Sequence, residues 1–200
     1  MKRKLLLLTI ALGLGLSANA QIESLKGPRI GAVLITQGLT ADMINTKFDI
    51  DMEDDIIGET GSAFVSLYGW QWESRFADGG NITGIVEWIA LVGGMEKGLF
   101  LPSVSSLVGM RTESGLEFAM GPNLSLSGIA LVIGAGYNFK SGDLNMPVNI
   151  AFVPGKSDTR EGPEDAGPDG EMHTDDDFHP DVNIHTGNRF SITVGFNLSK

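Results

Sequence analysis

The chain has 200 residues, a formal net charge of −11, 42% hydrophobic residues and no cysteine. Such an acidic balance argues against a nucleic-acid-binding role. Without cysteine there are no disulfides, so the fold must be stabilised by core packing or by closure of a sheet.

The first twenty residues predict a cleavable signal peptide. Lys2, Arg3 and Lys4 form a basic start, residues 5–16 are apolar, and Ala18-Asn19-Ala20 fits the cleavage motif before Gln21. We therefore expect an exported protein whose mature chain, residues 21–200, forms one domain. Removing the three basic residues takes its formal charge from −11 to −14. No later apolar run is long enough to predict a membrane-spanning helix.

Period-two alternation of apolar and polar residues predicts eight strands in the mature chain. Their expected ranges are 28–37, 62–76, 82–93, 104–112, 115–121, 128–140, 146–154 and 188–199. The last strand shows the pattern most clearly, because Phe190, Ile192, Val194 and Phe196 alternate with small or polar residues. In residues 136–154, "GYNFKSGDLNMPVNIAFVP", the same alternation flanks a Gly-Asp turn and predicts a hairpin.

The predicted connections alternate in length. Short turns at 77–81, 113–114 and 141–145 alternate with longer or more variable connections at 38–61, 94–103, 122–127 and 155–187. Bacterial outer-membrane barrels have an even strand number, short periplasmic turns and longer outer loops. The sequence therefore predicts an all-β fold, an eight-stranded antiparallel up-and-down transmembrane β-barrel. We expect a monomer in the outer membrane of a Gram-negative cell, in contact with membrane lipid and lipopolysaccharide.

Two soluble alternatives are a lipocalin-type barrel and a β-sandwich. A soluble barrel needs a charged outer stripe on each strand. Here the more polar stripe is small and rich in glycine, which suits a crowded interior, as at Gly31, Gly69, Gly109, Gly121, Gly134, Gly136 and Gly195. The bulky stripe carries aromatic rings that are typical of membrane interfaces, including Trp70, Trp72 and Trp88. The long strands do not show the bends of a sandwich.

The inward stripe predicts a charged layer in the half of the lumen near the short turns. Its expected members are Arg29, Glu73, Arg75, Glu87, Arg111, Glu117 and Lys140, with Asn149 nearby. An eight-stranded barrel is only wide enough for side chains to fill it or for one small ligand. Opposite charges crowded there must pair, because unpaired buried charge is costly.

The other half of the lumen is expected to be apolar. Its predicted walls include Val33, Ile35, Val65, Leu67, Ile89, Leu91, Leu107, Val132 and Val153. Two interpretations stay open: a packed core above a charged plug, or an outward-open pocket for a hydrophobic molecule or acyl chain. The candidate pocket residues are Val65, Leu67, Ile89, Leu91 and Leu107. A porin-like conducting channel is disfavoured by the narrow lumen.

The connection 155–187 contains all three histidines and a dense run of acidic residues. This composition is typical of a solvated outer loop. A divalent cation is an alternative, and the candidate ligands are His173, Asp175, Asp176, Asp177, His179 and Asp181. The spacing matches no EF-hand loop. A second acidic cluster, "FDIDMEDD", lies at residues 48–55.

Catalysis finds little support in the sequence. A hydrolytic Asp-His pair at the barrel rim would need Asp177 or Asp181 beside His179 or His185. Glu73 and Glu87 could act as paired carboxylates, but the nearby arginines favour a structural role. We predict no catalytic residues and no resident cofactor.

Four stretches have recognisable wording: "GWQWESRF" (69–76), "GGMEKGLFLPS" (93–103), "GLEFAMGPNLS" (115–125) and the hairpin 136–154. They resemble the small, uncharacterised outer-membrane β-barrel proteins of Bacteroidota. The resemblance covers about half of the mature chain and implies the barrel fold and the outer-membrane location. It brings no established activity or site residues. The sequence thus predicts a structural or surface-binding role, with a hydrophobic-ligand-binding barrel or a rim hydrolase as alternatives.

Overall fold

The computed structural model describes residues 26–46, 61–142, 144–160 and 182–198. The predicted signal peptide, the acidic cluster at 48–55 and most of the acidic connection 155–187 lie outside these residues. No helix in the described ranges is long and apolar enough to cross a membrane.

Eleven strands and two short helical segments follow each other along the described chain. The strands are β1 Lys26–Ile35, β2 Ala63–Asp78, β3 Ile82–Gly93, β4 Leu101–Thr112, β5 Leu116–Ser125, β6 Gly128–Ser141, β7 Leu144–Val153, β8 Ser157–Arg160, β9 Val182–His185, β10 Arg189–Gly195 and β11 Asn197–Leu198. Helix α1 spans Leu39–Asn45, and a 3-10 turn spans Met95–Lys97.

The prediction of an eight-stranded antiparallel barrel is confirmed. Strands β1 to β7 pair in sequence order, and the eighth wall consists of β10 and β11, which are interrupted at Phe196. That wall pairs with β7 on one side, and β10 pairs with β1 on the other, with Arg29 opposite Gly195. Each barrel strand therefore has two neighbours, and no long sheet edge is left for pairing with another chain.

The connections give the barrel two unlike ends. We call the end with the turns after β2, β4 and β6 the short-turn end; β1 begins there and β11 ends there. The opposite, long-loop end carries the connections after β1, β3, β5 and β7. One of these four differs from the expectation, because β5 continues to Ser125 and leaves a two-residue turn. Pro122 lies within the strand, where its missing N–H interrupts the ladder with β4 between Met120 and Asn123.

Two long-loop connections contain an α-helix or strands that the sequence pattern did not predict. Helix α1 lies in the connection between β1 and β2, and it buries Ala41 and Ile44. These two side chains pack into a cluster with inward residues of β1 and β2, namely Val33, Ile35, Ala63, Val65 and Leu67. Strands β8 and β9 form a separate two-stranded ribbon between β7 and β10.

Candidate functional site: the barrel lumen

A layer of ion pairs crosses the lumen near the short-turn end. Arg111 donates from Nη1 to Glu73 Oε1 at 2.8 Å, and its Nη2 contacts Glu73 Oε2. Its Nε donates to Glu117 Oε1. The three side chains come from β4, β2 and β5 and are all buried. A guanidinium flanked by two carboxylates has the geometry that compensates buried charge.

A second chain of polar side chains continues the layer across the opposite wall. Arg29 donates from Nε to Gln71 Oε1 at 2.7 Å and from Nη1 to Asn197 Oδ1 at 3.2 Å. Gln71 in turn donates from Nε2 to Glu87 Oε1. Arg29, Gln71, Glu87 and Asn197 are at most 3% exposed. We use the term charge layer for these four residues together with Glu73, Arg111 and Glu117.

The structure places five of the seven predicted lumen charges in this layer. Arg75 is partly exposed at its edge, with Nε 3.8 Å from Glu73 Oε1. The prediction for Lys140 is wrong. Lys140 occupies an inward position in the alternation of its strand, but its side chain is exposed beside the β6–β7 turn. Alternation alone does not show whether a long side chain near the end of a strand stays in the lumen or extends into solvent. Asn149 lines the lumen nearer its middle.

Sequence reasoning missed the two amides that connect the charges, Gln71 and Asn197. Both alternate with outward-facing residues of their strands, and this alternation is the sequence signal that could have placed them in the lumen. Gly195 leaves space for the guanidinium of Arg29 in this layer. A Cβ added there would lie 1.2 Å from Arg29 Nη1, so a residue without a side chain makes room for the guanidinium.

The lumen above the charge layer is largely apolar and only partly filled. A second buried cluster consists of Leu107, Ala119, Val132 and Val153, on the side opposite α1 and β1. Between the two clusters lies a cavity of about 170 Å³. All five predicted pocket residues line it, namely Val65, Leu67, Ile89, Leu91 and Leu107. The upper lumen therefore combines packing around α1 with a void.

Polar groups mark both ends of this lumen cavity. Glu87 and Glu117 of the charge layer form its floor. Near the long-loop end, the half-buried Arg189 lines the wall and donates from Nη1 to Ser125 Oγ at 2.9 Å. Among the described residues, no carboxylate lies within 4 Å of the Arg189 guanidinium. Asn123 and Asn149 also line the cavity, and each has a buried Oδ1 without a hydrogen-bond partner in that same part of the chain.

The outer face of the barrel is apolar along every strand. Large hydrophobic side chains are exposed by two-fifths or more, among them Leu34, Phe64, Tyr68, Trp70, Trp72, Trp88, Val108, Phe118, Leu131, Tyr137, Ile150, Phe190 and Ile192. Trp72 lies directly opposite Trp88 across the β2–β3 ladder. Soluble monomers rarely expose contiguous apolar patches larger than a few hundred Å².

The predicted cation and hydrolase sites fall largely outside the described residues. This is the case for His173, Asp175, Asp176, Asp177, His179 and Asp181. In the described ranges, no group of three or more potential ligands is placed to hold a metal ion. The remaining histidine, His185, accepts a hydrogen bond at Nδ1 from the Gly187 N–H at 3.0 Å.

No model of a known protein family matches the chain, and no curated protein matches it.

Proposed function

We propose that this protein is an integral β-barrel of the bacterial outer membrane with a lumen closed to ion flow, and that it has a structural or surface-binding role. The exposed apolar belt carries the proposal. In water, this surface would leave Phe, Leu, Ile and Trp side chains hydrated on every wall, at about 25 cal/mol for each Å² of apolar surface. A closed barrel satisfies its backbone hydrogen bonds internally, as a bilayer requires.

The predicted signal peptide and the chain's resemblance to Bacteroidota outer-membrane barrels support the same location. The asymmetry between the two barrel ends agrees with short turns on the periplasmic side. On this assignment, the long-loop end with α1 and the β8–β9 ribbon faces outward and offers the surface for a partner.

The charge layer supports a closed lumen. Its ion pairs and amide contacts join side chains from β1 to β5 and from β11, and each of these side chains is at most 7% exposed. Next to it, Asn138 donates from Nδ2 to Asn145 Oδ1 at 3.0 Å, which adds the walls of β6 and β7. Polar side chains from all eight walls thus occupy one level of a narrow barrel.

Tryptophan fluorescence tests the membrane assignment directly, because all three tryptophans lie on the outward face. We expect protein reconstituted into vesicles to be quenched by lipids brominated on their acyl chains. As a control, Phe100→Trp in a background with the three tryptophans replaced by Phe places the indole in the β3–β4 connection. That residue is 70% exposed and should respond to aqueous acrylamide instead.

A second measurement uses the whole cell. The protein should fractionate with the outer membrane and migrate faster on a gel when it is not boiled. Recovery in the soluble periplasmic fraction, or tryptophans quenched by acrylamide and not by brominated chains, would refute the proposal.

A further inference from the structure

The lumen cavity has the form of a site for a small amphiphile. Its walls are largely apolar, and its volume of about 170 Å³ slightly exceeds the roughly 150 Å³ of an engineered apolar cavity that binds benzene. By that comparison, it has room for about six to eight carbon atoms. Ligand sites typically combine such apolar walls with a few polar groups that fix orientation.

The polar groups of the cavity indicate the charge of that ligand. Arg189 presents a guanidinium to the cavity, and its hydrogen bond in the described structure goes to the neutral Ser125 hydroxyl. Guanidinium groups have five donors in a planar fork that matches a carboxylate. The floor carries Glu87 and Glu117, which offer no positive charge to an anionic head, so the head is expected at the long-loop end, where Arg189 lies.

We propose that the lumen cavity binds a short- to medium-chain fatty acid, with its carboxylate on Arg189 and its alkyl chain along Ile89 and Leu107. The inference deepens the proposed function and rests on it, since it takes the lumen to be closed at the charge layer and open toward the long-loop end.

The test is calorimetric titration of the protein in phosphatidylcholine nanodiscs with sodium octanoate, with empty discs as the blank. If the protein does not enter discs, the same titration is run in buffer, so failure of the membrane proposal and failure of this one remain distinguishable. We expect saturable binding of octanoate, and at least about tenfold weaker binding of octan-1-ol, which lacks the anionic head, and of acetate, which lacks the chain.

Substitutions locate the site. Arg189→Met should weaken octanoate binding at least about tenfold, whereas Arg189→Lys, which keeps the charge but loses the planar fork, should weaken it less. Lys156→Met removes an exposed cation at the same end of the barrel and should leave binding unchanged. Leu107→Trp should block octanoate by filling the cavity. Circular dichroism and gel mobility check that each variant is folded.

Three results would overturn the proposal: no saturable octanoate binding to the wild-type protein, equal affinities for octanoate and octan-1-ol, or unchanged octanoate affinity in folded Leu107→Trp. The comparison between octanoate and octan-1-ol needs no variant, so it decides the matter even where Arg189→Met does not fold.

Discussion

Replacing Glu73 by Gln tests the charge layer with almost no change in side-chain size. Arg111 makes two contacts with Glu73 and one with Glu117. Glutamine keeps a single acceptor oxygen and no charge, so one charged hydrogen bond is lost and the other is weakened. Hydrogen bonds to charged groups contribute about 1.5–3 kcal/mol each.

The expected loss is about 3 kcal/mol in the free energy of unfolding. Removing one partner of a buried ion pair typically costs about 3–5 kcal/mol, because a charge is left uncompensated. Here Glu117 still faces Arg111, and this retained contact places the loss at the lower end of that range.

The assay is reversible urea unfolding in lipid vesicles, followed by tryptophan emission. Glu113→Gln is the matched control, since that carboxylate is exposed in the β4–β5 turn and should change stability by less than about 0.5 kcal/mol. A double-mutant cycle with Arg111→Met should give a coupling energy of at least about 1 kcal/mol. A Glu73→Gln loss no larger than that of Glu113→Gln, or additive losses in the cycle, would refute the reasoning.

Three further predictions concern the glycine beside Arg29, helix α1 and the connection between β3 and β4. Gly195→Ala should lower the free energy of unfolding by about 1–3 kcal/mol, because the added Cβ displaces Arg29. Gly134 is another inward strand glycine, but a Cβ added there would have its nearest contact at 3.5 Å, so Gly134→Ala should be nearly neutral. Equal unfolding midpoints for the two variants would contradict this. Ile44→Ala should lower the free energy of unfolding by about 2–4 kcal/mol and speed amide exchange in α1, because Ile44 is only 1% exposed. Unchanged exchange would show that this packing does not hold α1 in place. Burial opposes ionisation of Glu96, but hydrogen bonds from the Ser66 hydroxyl and N–H hold the pKa of this carboxyl below its usual value. Its contribution to stability is therefore present at neutral pH and is lost as the pH falls through the folded-state pKa. The protection factors of the amides at 94–100, which are corrected for the intrinsic pH dependence of exchange, should fall in acid in the wild type and should not change with pH in Glu96→Gln.

Much of the barrel was predictable because its signals are local. Alternation with period two is a property of the extended chain, so Phe190, Ile192 and Val194 could be assigned to one face without any tertiary information. The expected eight strands agree with the barrel walls to within a few residues at most ends. β5 is the exception, because Pro122 was interpreted as the start of a loop although an outward proline can stay within a strand.

The contacts inside the lumen could not be predicted fully from local sequence patterns. The alternation placed Arg29, Glu73, Glu87, Arg111 and Glu117 inside. The short turn at 113–114 also predicts that Arg111 and Glu117 are neighbours, and this is confirmed. The remaining contacts of the two guanidinium groups depend on the stagger between strands that are distant in sequence. Distant chain segments set that stagger: the contact between Arg29 and Asn197 joins residues 168 positions apart. Likewise, alternation and strand direction gave Lys140 the same assignment as the charge layer, although its side chain is exposed beside the β6–β7 turn.

The sequence by itself determined the strands, their faces and the alternation of turn lengths, because each depends on residues that are neighbours along the chain. The tertiary structure decided three further features: the barrel closes through β10 and β1, α1 fills one side of the lumen, and the other side keeps a cavity beside Arg189. These depend on how much volume the side chains of eight walls and one helix occupy together, a quantity that no single segment contains.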